Sequence, residues 1–538
     1  MENKARVEIF EAQRVVTMSG DDANALAVAD GRVVAVGEIS EIVSRFPSAP
    51  RTRWPKSVIT PGFNDAHMHL VMAAEDLLHL DVSPRVVHSI KDIKDKVRAQ
   101  AGNTPAGGWV RGSMYDDGKI TGDERLARAD LDDAAPNHPV IIRHVAGHWG
   151  VVNSEALGLG GIRDDTPDPV GGGYGHDAAG RLNGVLYEQA MFDFVYPQLA
   201  HTEHPLISPT SMEERLVGLQ RAIEMFHAAG LTSVGDALVG PDDVALLTEA
   251  RRRGLLSLRV NMLIAAEHYG RLPEFGSLDE IGDEWLRIGG VKTFVDGAIG
   301  GRTCLLEEPF ESAEDHGIQS RSTAQLRDTI RKAQEAGVCV GVHANGDRAI
   351  RILLDVFEEA AQEFPRPGLH HRIEHCTVVT EDIVRRIKRL GLIVAPFGSY
   401  VNYHGGRLLE WYGTERVTRM FAHRWFLDAG VCVAGSSDYS CGPFEPLLAL
   451  QSCVTRKGWD GAVVGENQRI TPREALACYT VNSARASQEG AYKGKLTPGY
   501  LADFVVLGGD PLTCDPDQIG SIPIEATFVG GRSVWSRD

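Results

Sequence analysis

The chain has 538 residues, 43% hydrophobic and 24% charged, which is enough for a large core plus an accessory domain and excludes the apolar-poor composition of a disordered protein. Its 55 basic and 73 acidic residues leave a net charge of −18; nucleic acid and anionic membrane surfaces are repelled at long range, and a small-molecule substrate is the expected partner. The eight cysteines stand singly, with no Cys-x-x-Cys pair, so neither a disulfide framework nor a zinc ribbon is indicated.

The opening MENKARVEIFEAQ is charged where a secretory signal is apolar, and no stretch approaches the ~20 apolar residues of a membrane span. A cytoplasmic location follows as the expectation, and a homo-oligomer such as a dimer is compatible with it. Residues 6–57 read as short β-branched strands punctuated by Gly and Asp, and the same texture returns in GKLTPGYLADFVVLGGD and IEATFVGGRSVW. Two β-rich ends around a different middle predict one β-sandwich built from residues 1–57 and 484–538.

Between them, short apolar strands alternate with amphipathic helices, the pattern of βα units on a parallel sheet. Strands are predicted at 57–67, 231–237, 258–264, 291–297, 338–346, 371–376, 392–397 and 431–438, with helices such as 323–337 and 380–391 ending at Gly. Eight strands predict an α/β fold, a (β/α)₈ TIM barrel spanning 58–483. The first interval, about 71–212, exceeds one helix and carries strand-like pieces of its own (GGWVRGSMY, HPVIIRHVAG, GRLNGVLYE); it reads as an insertion over the barrel mouth.

His67-Met68-His69 ends the first barrel strand. Residues i and i+2 of an extended chain face one side, so both imidazoles can address one metal ion. Lys292, His343, His375 and Asp438 take the same relative place, the C-terminal end of a strand, which is the rim where barrel active sites lie. His370 and His371 sit near a strand start and read as structural.

TPGFNDAHMHL, GWVRG, the H-W-x-V-V-N-S-x-A-L segment, VKTFVDGAIGGRT, VHANGDRAI, RIEHC, GSSD and GKLTPGYLADFVVL together resemble the amidohydrolase superfamily, and more closely its N-substituted formamide deformylase and YtcJ-like subgroup. The resemblance implies His67 and His69 on the more buried metal, His343 and His375 on the second, Lys292 bridging both as an N-carboxylated lysine, and Asp438 as ligand and proton shuttle. A carbamate offers two oxygens where an ammonium would repel the cations. One or two divalent ions, zinc foremost, are the implied cofactor. His148 and Trp149, in the insertion, together with Tyr115 and Tyr400, are the candidate substrate contacts. One departure is Ala395 before Pro396, where many relatives carry a polar residue; substrate contact from that strand is not carried over.

The function implied is hydrolysis of a non-peptide C–N bond, in an amide, N-formyl, N-acyl or cyclic amide, by metal-activated water. Heterocycle deamination is the alternative within the superfamily, although such enzymes typically lack the bridging lysine. A non-catalytic scaffold would have lost ligands, and every expected ligand residue is present.

Overall fold

The computed structural model describes residues 6–121, 125–196, 206–207, 210–270, 281–311 and 313–537. Within the expected insertion, 122–124, 197–205, 208 and 209 lie outside the described residues. Eight strands follow one another in sheet order and pair in parallel: β1 (Phe63–Met68), β2 (Leu231–Val239), β3 (Arg259–Ala265), β4 (Leu286–Phe294), β5 (Val340–Ala344), β6 (Arg372–His375), β7 (Ile393–Ala395) and β8 (Cys432–Val433). The series closes on itself through backbone hydrogen bonds, Ala66 N to Gly435 O and Asp438 N to His67 O, both 2.9 Å. Every residue of β1, β2 and β3 is buried, as expected of parallel strands covered on both faces.

Helices pack outside this barrel and end where the sequence indicates. In Thr323–Ala336 the Ser322 side chain accepts from Gln325 N while Gln325 returns the bond to Ser322 N, and Leu326, Ile330 and Ala333 turn inward. Gly337 and Gly391, at φ 72 and 66, close this helix and Glu381–Leu390 in the left-handed conformation that glycine adopts without strain.

Residues from both ends of the chain share one seven-stranded sheet, in the order 532–536, 524–529, 504–507, 51–61, 8–15, 23–29, 32–37. The sheet doubles over its apolar face. Phe10 lies three strands from Phe528, ~14 Å in a flat sheet, yet their ring centroids are 5.2 Å apart, and Phe504 packs 5.0 Å from Phe10. Residues 58–61, expected to lie at the beginning of the first barrel strand, instead pair with 504–507 in this sheet. The break falls at Gly62, where any Cβ would meet the Thr232 side chain at 2.3 Å. Residues 80–188 supply a third sheet of six strands, which includes Val110–Tyr115, Val140–His144 and Leu182–Glu188.

The terminal sheet is fastened to the barrel by a bidentate pair: Arg259, opening β3, donates to Asp503 at 2.7 and 2.9 Å, with both residues buried. Removing one partner strands a buried charge, which costs ~3–5 kcal/mol. Arg259→Ala is expected to lower the unfolding free energy in urea by that amount. A loss below ~1 kcal/mol, the value of an exposed pair, would show that the pair does not fasten the two units.

Candidate metal centre

His67 and His69 leave β1 on one side, and each has its Nδ1 tied down. His67 Nδ1 lies 2.6 Å from Glu374 Oε2, and His69 Nδ1 lies 3.0 Å from the Ala237 carbonyl. A carboxylate and a carbonyl can only accept, so both protons sit on Nδ1 and both Nε2 atoms keep a lone pair. Glu374 is in turn held by Arg372, whose Nε and Nη2 approach its two oxygens at 2.8 and 2.9 Å. Burial alone would raise the Glu374 pKa, but Arg372 and then His67 outweigh it and bring it down to about 2.

The two lone pairs converge on Asp438. Its Oδ1 lies 3.3 Å from His67 Nε2 and 3.1 Å from His69 Nε2, and the ligand atoms all fall within 4.8 Å of one another. His375 Nε2 is 4.0 Å from the same oxygen. Burial lowers the pKa of His69 and drives those of His343 and His375 well below the usual value, so the rings are neutral. Burial works against ionisation of Asp438 too; a charged His375, then bonds from protonated His67 and His69, would hold its carboxyl well below the ordinary range, and with the rings neutral that part falls to a cation. Neutral imidazoles turned toward an ionised carboxylate repel one another unless a cation lies between them. The buried His67 Nε2 and His375 Nδ1 indeed have no hydrogen-bond partner. This donor set fits a divalent metal. His375 and Asp438 also hold left-handed backbone, φ 71 and 55, a strain of ~1–3 kcal/mol each that clusters at functional sites.

His343 stands 4.6 Å from His375, ring centroid to centroid, and its Nε2 faces the Gly297 carbonyl at 3.0 Å. Lys292 is 1% exposed, with its ammonium 4.5 Å from the Phe294 ring centroid. Burial brings its pKa down to about 8 against the pull of Glu374 and Asp438. His69, Lys292, His343 and Asp438 share one cavity with His144 and His148 of the insertion. A second cluster, Asp116, Asp117 and His144, fails as a metal site. There His144 Nδ1 accepts from Ala146 N at 3.0 Å, so the proton occupies Nε2, facing Asp117 at 3.3 Å, and no lone pair remains for an ion.

The expected substrate contacts separate. His148 lines the cavity, its Nδ1 2.7 Å from Glu188 Oε2, and Glu188 accepts from Thr303 at 2.9 Å. Trp149 stacks on His144 at 4.1 Å, and Tyr115, whose hydroxyl accepts from Leu126 N, packs edge-on against both; these two rings lie behind the cavity wall. Tyr400 stacks on Phe397 at 3.6 Å and Phe397 on His375 at 4.2 Å, so the end of β7 offers His375 an aromatic face. His370 bonds Gly391 O and His371 bonds Gln334, both at the start of β6. Sequence reasoning missed Glu374, Arg372 and Glu188. The RIE that precedes His375 was the available signal, since charged residues inside a buried strand need partners.

Residues 57–535 match the profile of the Amidohydrolase family. The chain is 29% identical over 529 residues to the putative amidohydrolase YtcJ of Bacillus subtilis, covering 96% of this chain and 97% of that one. It is 30% identical over 541 residues to the N-substituted formamide deformylase of Arthrobacter pascens, covering 97% of each. Among solved structures it resembles an uncharacterized metal-dependent hydrolase from Pyrococcus horikoshii OT3, with a TM-score of 0.74, 24% identity, and 95% and 99% of the two chains covered. With the family profile running from the approach to β1 through the last strand of the terminal sheet, the protein is a member of the amidohydrolase family, a hydrolase of carbon–nitrogen bonds.

Proposed function

We propose that the enzyme hydrolyses a non-peptide C–N bond of a small amide, with one or two divalent ions, zinc foremost, held by His67, His69, His343, His375, Asp438 and an N-carboxylated Lys292. The convergence of His67 Nε2, His69 Nε2 and Asp438 Oδ1 within 4.8 Å, with the far side of each ring already bonded, carries the reading. When bound, the metal supplies Lewis acidity, bringing the pKa of water towards roughly 7 and polarising the carbonyl. The formamide deformylase relative makes N-substituted formamides the first substrates to try.

The chain's own groups do the rest. Asp438, held ionised, takes a proton from the attacking water at its carboxylate and returns it to the leaving nitrogen. Burial disfavours a charged His148, but Glu188 outweighs it and raises the pKa, so the ring presents a donor to the substrate carbonyl. Lys292 Nζ makes no hydrogen bond or ion pair with any described residue. A buried ammonium with only the face of Phe294 beside it is costly; as a carbamate, the same side chain would be an anion able to hold cations.

The purified enzyme is expected to hold between one and two equivalents of divalent metal and to lose activity on chelation. An active preparation without stoichiometric metal by elemental analysis would sink the proposal. Glu374→Gln removes the charge that orients His67 and is expected to weaken metal binding by about 10–100-fold, measured by competition with a chromogenic chelator; unchanged affinity would deny Glu374 that role. Asp438→Asn keeps a coordinating oxygen but cannot shuttle a proton, so kcat on a verified formamide should fall by ~10²–10⁴-fold with the metal retained. Turnover within a few-fold of wild type would assign the shuttle elsewhere.

A further inference from the structure

The insertion strand Val110–Tyr115 pairs in parallel with Val140–His144, and the register is regular as far as Gly112, opposite Ile142. The next pair is Tyr115 with His144, three residues along one strand against two along the other. The surplus makes a β-bulge, a device that re-aims a side chain. Met114 lies in it at φ 72, the left-handed region where glycine sits freely and any other residue crowds its Cβ against the backbone carbonyl. Tyr115, next to it, is fully buried, whereas Met114 is half-buried and joins none of the hydrophobic clusters formed by the described residues. It lines the metal cavity instead. A second left-handed residue reaches that cavity from the barrel: Leu238, at φ 69, sits in a bulge of β2 where Ala237 pairs with Leu263 and Val239 with Ile264. Its conformation has other duties, because Leu238 is buried in the core and the Ala237 carbonyl before it holds His69. For Met114 the cavity is the one place its side chain serves among the described residues, and backbone strain of this kind gathers at ligand contacts.

We propose that Met114 is a specificity-determining residue, packing against an uncharged apolar group that the substrate carries beside its scissile C–N bond. The inference rests on the C–N hydrolase reading above and narrows its substrates to amides with such a group. The cavity measures about 540 Å³ counting its mouth, room for a small amide. Outside the metal ligands its charged groups are answered, Arg143 by Asp76 and His148 by Glu188, so the contact left to the substrate there is apolar. An unbranched thioether moulds itself to such a group, and Leu238 and Phe294 add apolar surface from the ends of β2 and β4.

Hydroxamates chelate a bound metal whatever the enzyme hydrolyses, so the metal-loaded protein is titrated calorimetrically with acetohydroxamate and hexanohydroxamate. The wild type should prefer the longer one. Met114→Gly, which removes the contact and the strain together, should reduce that preference at least about fivefold, the scale of one to two buried methylenes, and Met114→Leu should keep most of it. Met114→Gly should also melt no more than ~3 °C below wild type, since a methionine needed for packing would cost more. In steady-state assays the kcat/KM ratio of N-hexylformamide over N-methylformamide should fall by a similar factor in Met114→Gly. A hydroxamate preference absent from the wild type or unchanged in Met114→Gly, or a larger loss of melting temperature, overturns the inference and leaves the hydrolase reading standing. If neither hydroxamate binds, the metal reading falls and takes the inference with it. If neither formamide is cleaved while the hydroxamate preference still depends on Met114, the formamide reaction is at fault and the assignment of Met114 stands.

Discussion

An ionised carboxylate with no exposed surface needs something to keep it charged, and for Glu374 that is Arg372, two residues back on the same face of β6. Remove the guanidinium and the carboxyl would rise into the range where it takes up a proton. His67 would then lose the acceptor that fixes its tautomer, and its Nε2 would no longer be certain to carry a lone pair. The orientation of β1's first histidine, its convergence with His69 and the placement of Asp438 opposite both depend on this chain. A buried ion pair of this kind adds little stability over an apolar substitute; its value here is the direction in which it points His67.

The rim holds several carboxylates, and their surroundings divide them by task. Asp65 accepts from the backbone N–H groups of His67 and Ser437, Asp236 from Leu70, and Asp296 from Leu305, Asn345 and Gly346. Burial dominates all three, pushing Asp65 and Asp296 up to about 7 and Asp236 well above its usual value. They serve as pins for the loops that leave the strands. Asp438 is buried as well, but imidazoles surround it in a donor set that fits a cation, and a cation beside it would keep it ionised. One residue type thus fills two roles, set by whether its neighbours are amides or histidines.

Much of this was legible in the sequence because the barrel strands read as short apolar runs between amphipathic helices. His67, His69, Lys292, His343, His375 and Asp438 each follow an apolar run, and the structure gathers those run ends at one mouth. Glu374 was not legible. As the neighbour of His375 in an extended strand it should face away from it, and only the left-handed turn at His375 lets both serve one site. The boundary at Gly62 was hidden for a similar reason: residues 57–67 read as one strand, and the steric limit set by Thr232 exists only once β2 is beside it. Trp149 was singled out with His148 for its place in the insertion, and Tyr115 and Tyr400 beside them; whether such a ring meets a cavity or packs behind it depends on the path of the loops.

The doubled terminal sheet also bears on how the chain is made. Strand 51–61 is hydrogen-bonded on one side to 8–15 and on the other to 504–507. While the ribosome adds the intervening barrel, the edge at Val58–Pro61 has no partner and its apolar face no cover. Contacts of such sequence separation close slowly. The sheet reaches its final order only after residues 504–536 have been made, and until then the nascent chain carries an open strand edge, the kind of surface on which chaperones act.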